Sequence, residues 1–115
     1  MREINITLEC NNFIEAQDKR VRLKFYQLIE IISELKVVSA IFVKKLQNTH
    51  FYELRIKSGK AYRIIIFTVD HLNFNECTKV ICLYGFQKKS TKDYKKAIKQ
   101  SESILNEYLS KEQQT

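Results

Sequence analysis

The chain has 115 residues, 44% of them hydrophobic and 29% charged, a balance that fits one globular domain over 1–115 and excludes a disordered chain or two independent cores. Its 20 Lys and Arg against 13 Asp and Glu leave a net charge of +7; this excess attracts polyanions, with nucleic acid, an acidic protein partner and simple solubility as the open readings. No stretch approaches the roughly 18 apolar residues of a membrane span. MREINITLEC has no apolar signal core, and Cys10, Cys77 and Cys82 form no CxxC, so a reduced, cytoplasmic protein with no membrane partner is expected.

INITLE (4–9) alternates, with Ile4, Ile6 and Leu8 on one face of a half-buried strand. Asn11 and Asn12 are expected to end that strand and cap a helix. Across 13–35, Val21, Phe25, Leu28, Ile29, Ile32 and Leu35 recur at three- and four-residue spacing, opposite the charged stripe DKRVRLK. This predicts an amphipathic helix or a helical hairpin. VVSAIFVKKL (37–46) reads as a short helix or turn.

FYELRI (51–56), KSGK and AYRIIIFTV (61–69) form a β-hairpin signal. DHLNFNE (70–76) is a second turn, and KVICLYGF (79–86) a central strand. From Ser90 the period becomes helical, through Ala97, Ile98, Ser101, Leu105, Tyr108 and Leu109. Ser90 and Asp93 make a capping box with Asp in place of Glu. The tail KEQQT is expected to fray. The order β-α-(α)-β-β-β-α predicts an α+β fold. Its mainly antiparallel four-stranded sheet carries N-terminal helices and a C-terminal helix.

The hairpin turn decides whether Arg55 and Arg63 cooperate. A Ser58-Gly59 turn would pair Arg55 with Tyr62 and send Arg63 to the opposite face. A three-residue loop, Lys57-Ser58-Gly59, pairs Ile56 with Lys60 and gives Gly59 the left-handed position of a G1 bulge. The second register is favoured. It gathers Glu53, Arg55 and Arg63 on one face and aligns Tyr62, Ile64 and Ile66 with Tyr52, Leu54 and Ile56 against the helices. Two adjacent guanidiniums repel unless an anion lies between them, and a phosphate suits their paired donors. Glu53 offers the alternative of a surface ion-pair cluster.

Other chemistries find little support. His50 and His71 have no ligand-spaced companion, and HxH, HExxH and CxxC are absent, so no metal site or cofactor is expected. Asp70 and Glu76 flank a turn and read as solvated. Gly59 and Gly85 are the chain's two glycines, too few for a glycine-rich phosphate loop. Metal-free RNA cleavage fits the residue types present, because RNA carries its own nucleophile in the 2′-OH. The enzyme aligns that group, moves protons and stabilises charge on the phosphorane.

FVKKLQNTHFYELRI, GKAYRIIIF and YGFQKKSTKDY, in this order, resemble the RelE/HigB-like toxin superfamily, in its phage-associated branch. Members show a Lys-Lys-Leu element, a Leu-Tyr-Glu-Leu-Arg-like strand, a Tyr-Arg-Ile strand and a Gly-Phe-x-Lys-Lys segment before the last helix. The resemblance covers roughly 42–94. It implies a small α+β microbial RNase fold, a toxin cleaving mRNA without a metal, commonly in the ribosomal A site, and a cognate antitoxin, often a helix-turn-helix protein.

By that resemblance Arg63 is a phosphate-contacting catalytic position, and Arg55, which matches the strand arginine beside it, is a catalytic candidate with it. Tyr94 matches a catalytic tyrosine across a one-residue gap. Lys88 and Lys89 match the basic pair, and Lys57 and Lys60 at the hairpin turn join them as RNA-binding residues. The chain departs from the pattern at Phe51 and Glu53, where well-studied relatives have lysines, and at Tyr84, where phage-type members often have histidine. His50, just before the strand, is a further candidate for proton transfer, though a surface histidine is the plainer reading. The alternative function is a non-catalytic module of the same fold, binding RNA or an acidic antitoxin-like protein. Lys95, Lys96 and Lys99 read as the solvated face of the last helix.

Overall fold

The computed structural model describes residues 1–113. Its strands are β1 (Glu3–Ile6), β2 (Val43–Lys45), β3 (Phe51–Ser58), β4 (Lys60–Thr68) and β5 (Lys79–Lys88). Its helices are α1 (Leu8–Glu15), α2 (Lys19–Glu34) and α3 (Lys92–Gln113), with a 3-10 turn at Phe74–Glu76. The strands form one sheet in the order β1-β5-β4-β3-β2, antiparallel except that β1 runs parallel to β5. The expected tail KEQQT extends to Gln114 and Thr115, which lie outside the described residues; α3 continues to Gln113.

The α+β class stands, with five strands in place of the expected four. The added strand is β2, inside the segment read as a short helix or turn. Ser39 O accepts hydrogen bonds from Phe42 N and Val43 N, making the turn, and the chain then extends. Val43 is buried while Lys44 and Lys45 are exposed. Three residues are too few for alternation to register as a strand signal.

The N-terminal boundary also moves. β1 stops at Ile6 because Thr7 caps α1, its side chain accepting Cys10 N at 3.2 Å. Leu8, expected on the strand's apolar face, instead begins α1 and is 70% exposed. Asn11 and Asn12 lie within α1 and not at its cap. Asp18 caps α2 by accepting from Val21 N at 3.1 Å. The segment 13–35 therefore holds the end of one helix and the whole of a second.

Alternation in the strands gives each sheet face its own cover. Leu54, Ile56, Ile64, Ile66, Val80 and Cys82 pack with α1 and α2 through Cys10, Ile14, Phe25 and Ile32. Phe51, Ile65, Ile81, Leu83 and Phe86 pack beneath α3 through Ala97, Ile98 and Leu105. Between Ile65 and Ile66 the ladder slips, pairing Ile65 with Tyr84 and Ile66 with Cys82. This bulge inserts Leu83, so Leu83 and Tyr84 both join the α3 side. Gly85 leaves room for α1: a Cβ there would collide with the Phe13 ring and lie 2.9 Å from Ile64 Cδ1.

A buried arginine closes the other end. Arg2 is 6% exposed. Its guanidinium donates to the carbonyls of Ile32 (2.9 Å), Leu35 and Lys36, and to Phe74 O at 3.2 and 3.3 Å. It thus satisfies acceptors at and beyond the α2 C-terminus and ties them to the 3-10 turn. Its Cζ also stands 4.4 Å from the Phe74 ring centroid.

Candidate functional site

The hairpin is tighter than expected. β3 and β4 pair Arg55 with Arg63 and Ile56 with Tyr62; the expected pairing of Ile56 with Lys60 is replaced by Ser58 with Lys60. Gly59 occupies the apex at φ 74°, the left-handed conformation that favours glycine. The shift is two residues, an even number, so each side chain keeps the face assigned from alternation. Its consequence is local: the two arginines become direct cross-strand neighbours.

Three rows on the α3 side follow from the registers. The row nearest the hairpin tip is Lys57, Ala61 and Lys88; the next is Arg55, Arg63 and Phe86. The third is Lys44, Glu53, Ile65 and Tyr84. Lys44 was missed because β2 itself was not legible, although it belongs to the Lys-Lys-Leu element singled out in the sequence. Glu53 is 4% exposed and reaches both arginines. Its Oε1 lies 3.8 Å from Arg55 Nε and its Oε2 3.7 Å from Arg63 Nε. Oε2 is buried and accepts no hydrogen bond among the described residues.

Arg63 is fixed from two sides. Its Nε donates to Tyr94 Oη at 3.1 Å and its Nη1 to Tyr62 O at 3.0 Å. The Arg63 side chain is 8% exposed, against 35% for Arg55. Burial, then the Glu53 carboxylate, pushes the Tyr94 phenol above its usual range, with Arg63 pulling the other way. The Tyr94 ring meets Phe86 edge-on at 5.4 Å, and Lys88 Nζ stands 5.6 Å from its centroid.

Tyr94 owes its place to the start of α3. The Asp93 carboxylate accepts from Lys89 N at 2.7 Å and Ser90 N at 2.9 Å, the carboxylate half of the expected capping box. These bonds, from Ser90 and then Lys89, hold the Asp93 pKa below the usual range. The following turn brings Tyr94 over the sheet.

The remaining candidates divide by position. Lys57 is exposed at the rim, in the same row as Lys88. Lys89 is exposed where β5 gives way to α3. Lys60 adjoins the apex, at a register position belonging to the opposite face. His50 is exposed before β3, about 16 Å along the strand from Arg55 at the usual rise. Among the described residues no group of three or more His, Cys, Asp or Glu could hold a metal ion. Cys10, Cys77 and Cys82 are buried and unbonded to one another. No described helix is long and apolar enough to cross a membrane.

The fold places this chain in the RelE-like class of small α+β proteins. A free-state double arginine-to-alanine mutant of the E. coli toxin RelE matches it with a TM-score of 0.61 at 15% identity, over 85% of this chain and 95% of that one. Residues 12–106 match the family described as phage derived protein Gp49-like (DUF891). The chain belongs to that family, a RelE/HigB-like toxin family. No curated protein matches it.

Proposed function

We propose that the protein is the toxin of a type II toxin–antitoxin system, acting as a metal-independent endoribonuclease on mRNA at the ribosomal A site. The observation carrying this reading is the direct pairing of Arg55 and Arg63 on a face otherwise edged by lysines. Their guanidiniums hold the scissile phosphate and stabilise charge gathering on its oxygens. Lys88, Lys57 and Lys44 contact neighbouring phosphates, with Lys89 further along the strand of RNA. The substrate's 2′-oxygen attacks phosphorus and the bond to the 5′-oxygen breaks. The Tyr94 phenol, protonated at neutral pH, gives its proton to that leaving oxygen, and the proton of the 2′-hydroxyl passes to solvent. A cognate antitoxin, of helix-turn-helix type, holds the toxin inactive.

Regulated expression in a bacterial host, followed by primer extension on cellular mRNA, tests this reading. Growth arrest with new cuts is expected, leaving 5′-hydroxyl and 2′,3′-cyclic phosphate ends. Ends bearing a 5′-phosphate would contradict attack by the 2′-oxygen. The second reading, a non-catalytic module binding RNA or an acidic protein, draws on Glu53, whose carboxylate already lies beside both arginines. Healthy growth with intact mRNA would select it.

A further inference from the structure

Glu53 is the single acidic residue in the three rows on the α3 side. Its own row holds Lys44, Ile65 and Tyr84, and the row beside it Arg55, Arg63 and Phe86. It is buried, whereas Lys44, directly across on β2, is exposed. Three groups assigned to the reaction converge on its carboxylate. Oε1 meets Arg55 and Oε2 meets Arg63, both at Nε. The third is the Tyr94 phenol, which burial and then this carboxylate push above its usual range. Tyr94 Oη is the acceptor in its bond with Arg63 Nε, so its own hydrogen is left to donate. Oε2 is a buried acceptor with no hydrogen bond among the described residues.

Two guanidiniums side by side on adjacent strands turn apart unless an anion holds them. Glu53 supplies that anion from within the sheet, where little water screens it. It does so at Nε, the inner nitrogen of each side chain. Arg63 Nη1 is also engaged, by Tyr62 O. The terminal nitrogens of Arg55 and Nη2 of Arg63 make no hydrogen bond among the described residues, and they remain for the oxygens of a phosphate.

We propose that Glu53 is the positioning residue of this site: its carboxylate holds Arg55, Arg63 and the Tyr94 hydroxyl at one spacing, so that both arginines meet the phosphate whose leaving oxygen Tyr94 protonates. No proton transfer is asked of Glu53 itself. Its reach is what matters: Asp, one methylene shorter, keeps the charge and loses the contacts, while Gln keeps the reach and loses the charge. The benefit to cleavage rests on the ribonuclease reading, whereas the arrangement of the arginines does not.

Nuclear magnetic resonance of the arginine Nε–H groups, assigned with single arginine-to-lysine variants, tests the arrangement. Exchange with solvent should be slow for Arg55 and Arg63 in the wild type and in Glu53→Gln, and Glu53→Asp should lose the protection at Arg55. Cleavage at saturating toxin in a cell-free translation reaction should fall about 100-fold in Glu53→Asp, the scale of a small misplacement of reacting groups. Its affinity for a single-stranded oligouridylate should change little, placing the loss in kcat. Glu53→Gln should lose far less than the roughly 100-fold that removal of a proton-transfer group costs. A freely exchanging Arg55 Nε–H in the wild type would overturn the proposal without need of a folded variant. Full cleavage by Glu53→Asp would overturn it too. So would a Glu53→Gln protein that keeps both arginines protected yet cuts nothing, since charge and not reach would then govern. Uncut mRNA with both wild-type arginines protected would sink the ribonuclease reading and leave the arrangement standing.

Discussion

Arg63 lies directly opposite Arg55 in the β3–β4 ladder, and Glu53 reaches both from the same face. Like charges in such a pair oppose folding by a few tenths of a kcal/mol to roughly 1 kcal/mol. Glu53 offsets this by ion-pair contact with both, its Oε2 accepting no hydrogen bond among the described residues. An arriving phosphate offers both arginines better acceptors. Glu53→Gln, nearly equal in shape, should tighten oligouridylate binding about fivefold at low salt, the equivalent of ~1 kcal/mol. Unchanged or weaker binding by fluorescence anisotropy would show that Glu53 does not compete with the phosphate.

Tyr94 joins two roles, accepting from Arg63 Nε and packing on Phe86. Tyr94→Phe keeps the ring and removes the hydroxyl. Cleavage should fall by about 100-fold, the scale of a lost general acid, while stability changes by only ~1 kcal/mol. Because the phenol is raised from 10.0, it is mostly protonated below that value. The alkaline loss of activity due to Tyr94 should therefore lie above pH 10 and vanish in the variant. A Tyr94-dependent loss near neutrality would contradict this assignment.

The lysine rows predict a difference measurable by salt titration. Lys44→Ala and Lys88→Ala should each reduce the slope of log affinity against log salt by about one phosphate contact. Lys60→Ala, at a register position on the other face, should change the slope least. Equal effects at all three would point to a diffuse field instead of a defined track.

The two glycines are constrained in different ways. Gly59 has open space around a Cβ but a φ of +74°, so Gly59→Ala should cost about 1–2 kcal/mol through the backbone alone. Gly85→Ala meets the Phe13 ring and Ile64 and should cost about 1–3 kcal/mol as overpacking. Urea denaturation measures both. Phe13→Ala should recover part of the Gly85→Ala loss and none of the Gly59→Ala loss.

Asp70 gives the fold an acid-sensitive latch. Its carboxylate accepts from Thr78 Oγ1, Thr78 N and Lys79 N, and those bonds, Thr78 foremost, lower its pKa from 3.8 to about 2. A lowered folded-state pKa stabilises above the unfolded value and loses that contribution as pH falls. The Asp70 contribution should thus be complete well above pH 3.8 and gone below about 2. Asp70→Asn should flatten that part of the denaturation profile; an unchanged profile would remove Asp70 as its source.

Much of this was legible because alternation and helical spacing report burial directly. The β3–β5 pattern located the central strands, and even-numbered register slips cannot alter a face, so Glu53, Arg55 and Arg63 were grouped correctly despite the wrong pairing. The wrong pairing arose from the loop: Lys57-Ser58-Gly59 and Ser58-Gly59-Lys60 both contain glycine, and only assembled neighbours choose between them. β2 escaped because three residues carry almost no periodicity. Thr7 escaped because INITLE alternates across the point where its hydroxyl starts a helix. Arg2 left no local signal, since its acceptors come from Ile32, Leu35, Lys36 and Phe74, far along the chain. Of the candidate site, Arg55, Arg63, Tyr94 and Lys88 are nameable from sequence, whereas the hydrogen bond from Arg63 to Tyr94 requires the packing of α3 on the sheet.

Primer extension on mRNA in a cell-free translation reaction, with wild type beside Arg63→Ala, tests the central claim most directly. Wild type should produce discrete cuts within the translated region, and Arg63→Ala should reduce them by about 100-fold or more, with its circular dichroism spectrum retained. Equal cleavage by a folded Arg63→Ala protein would contradict the role given to the arginine pair.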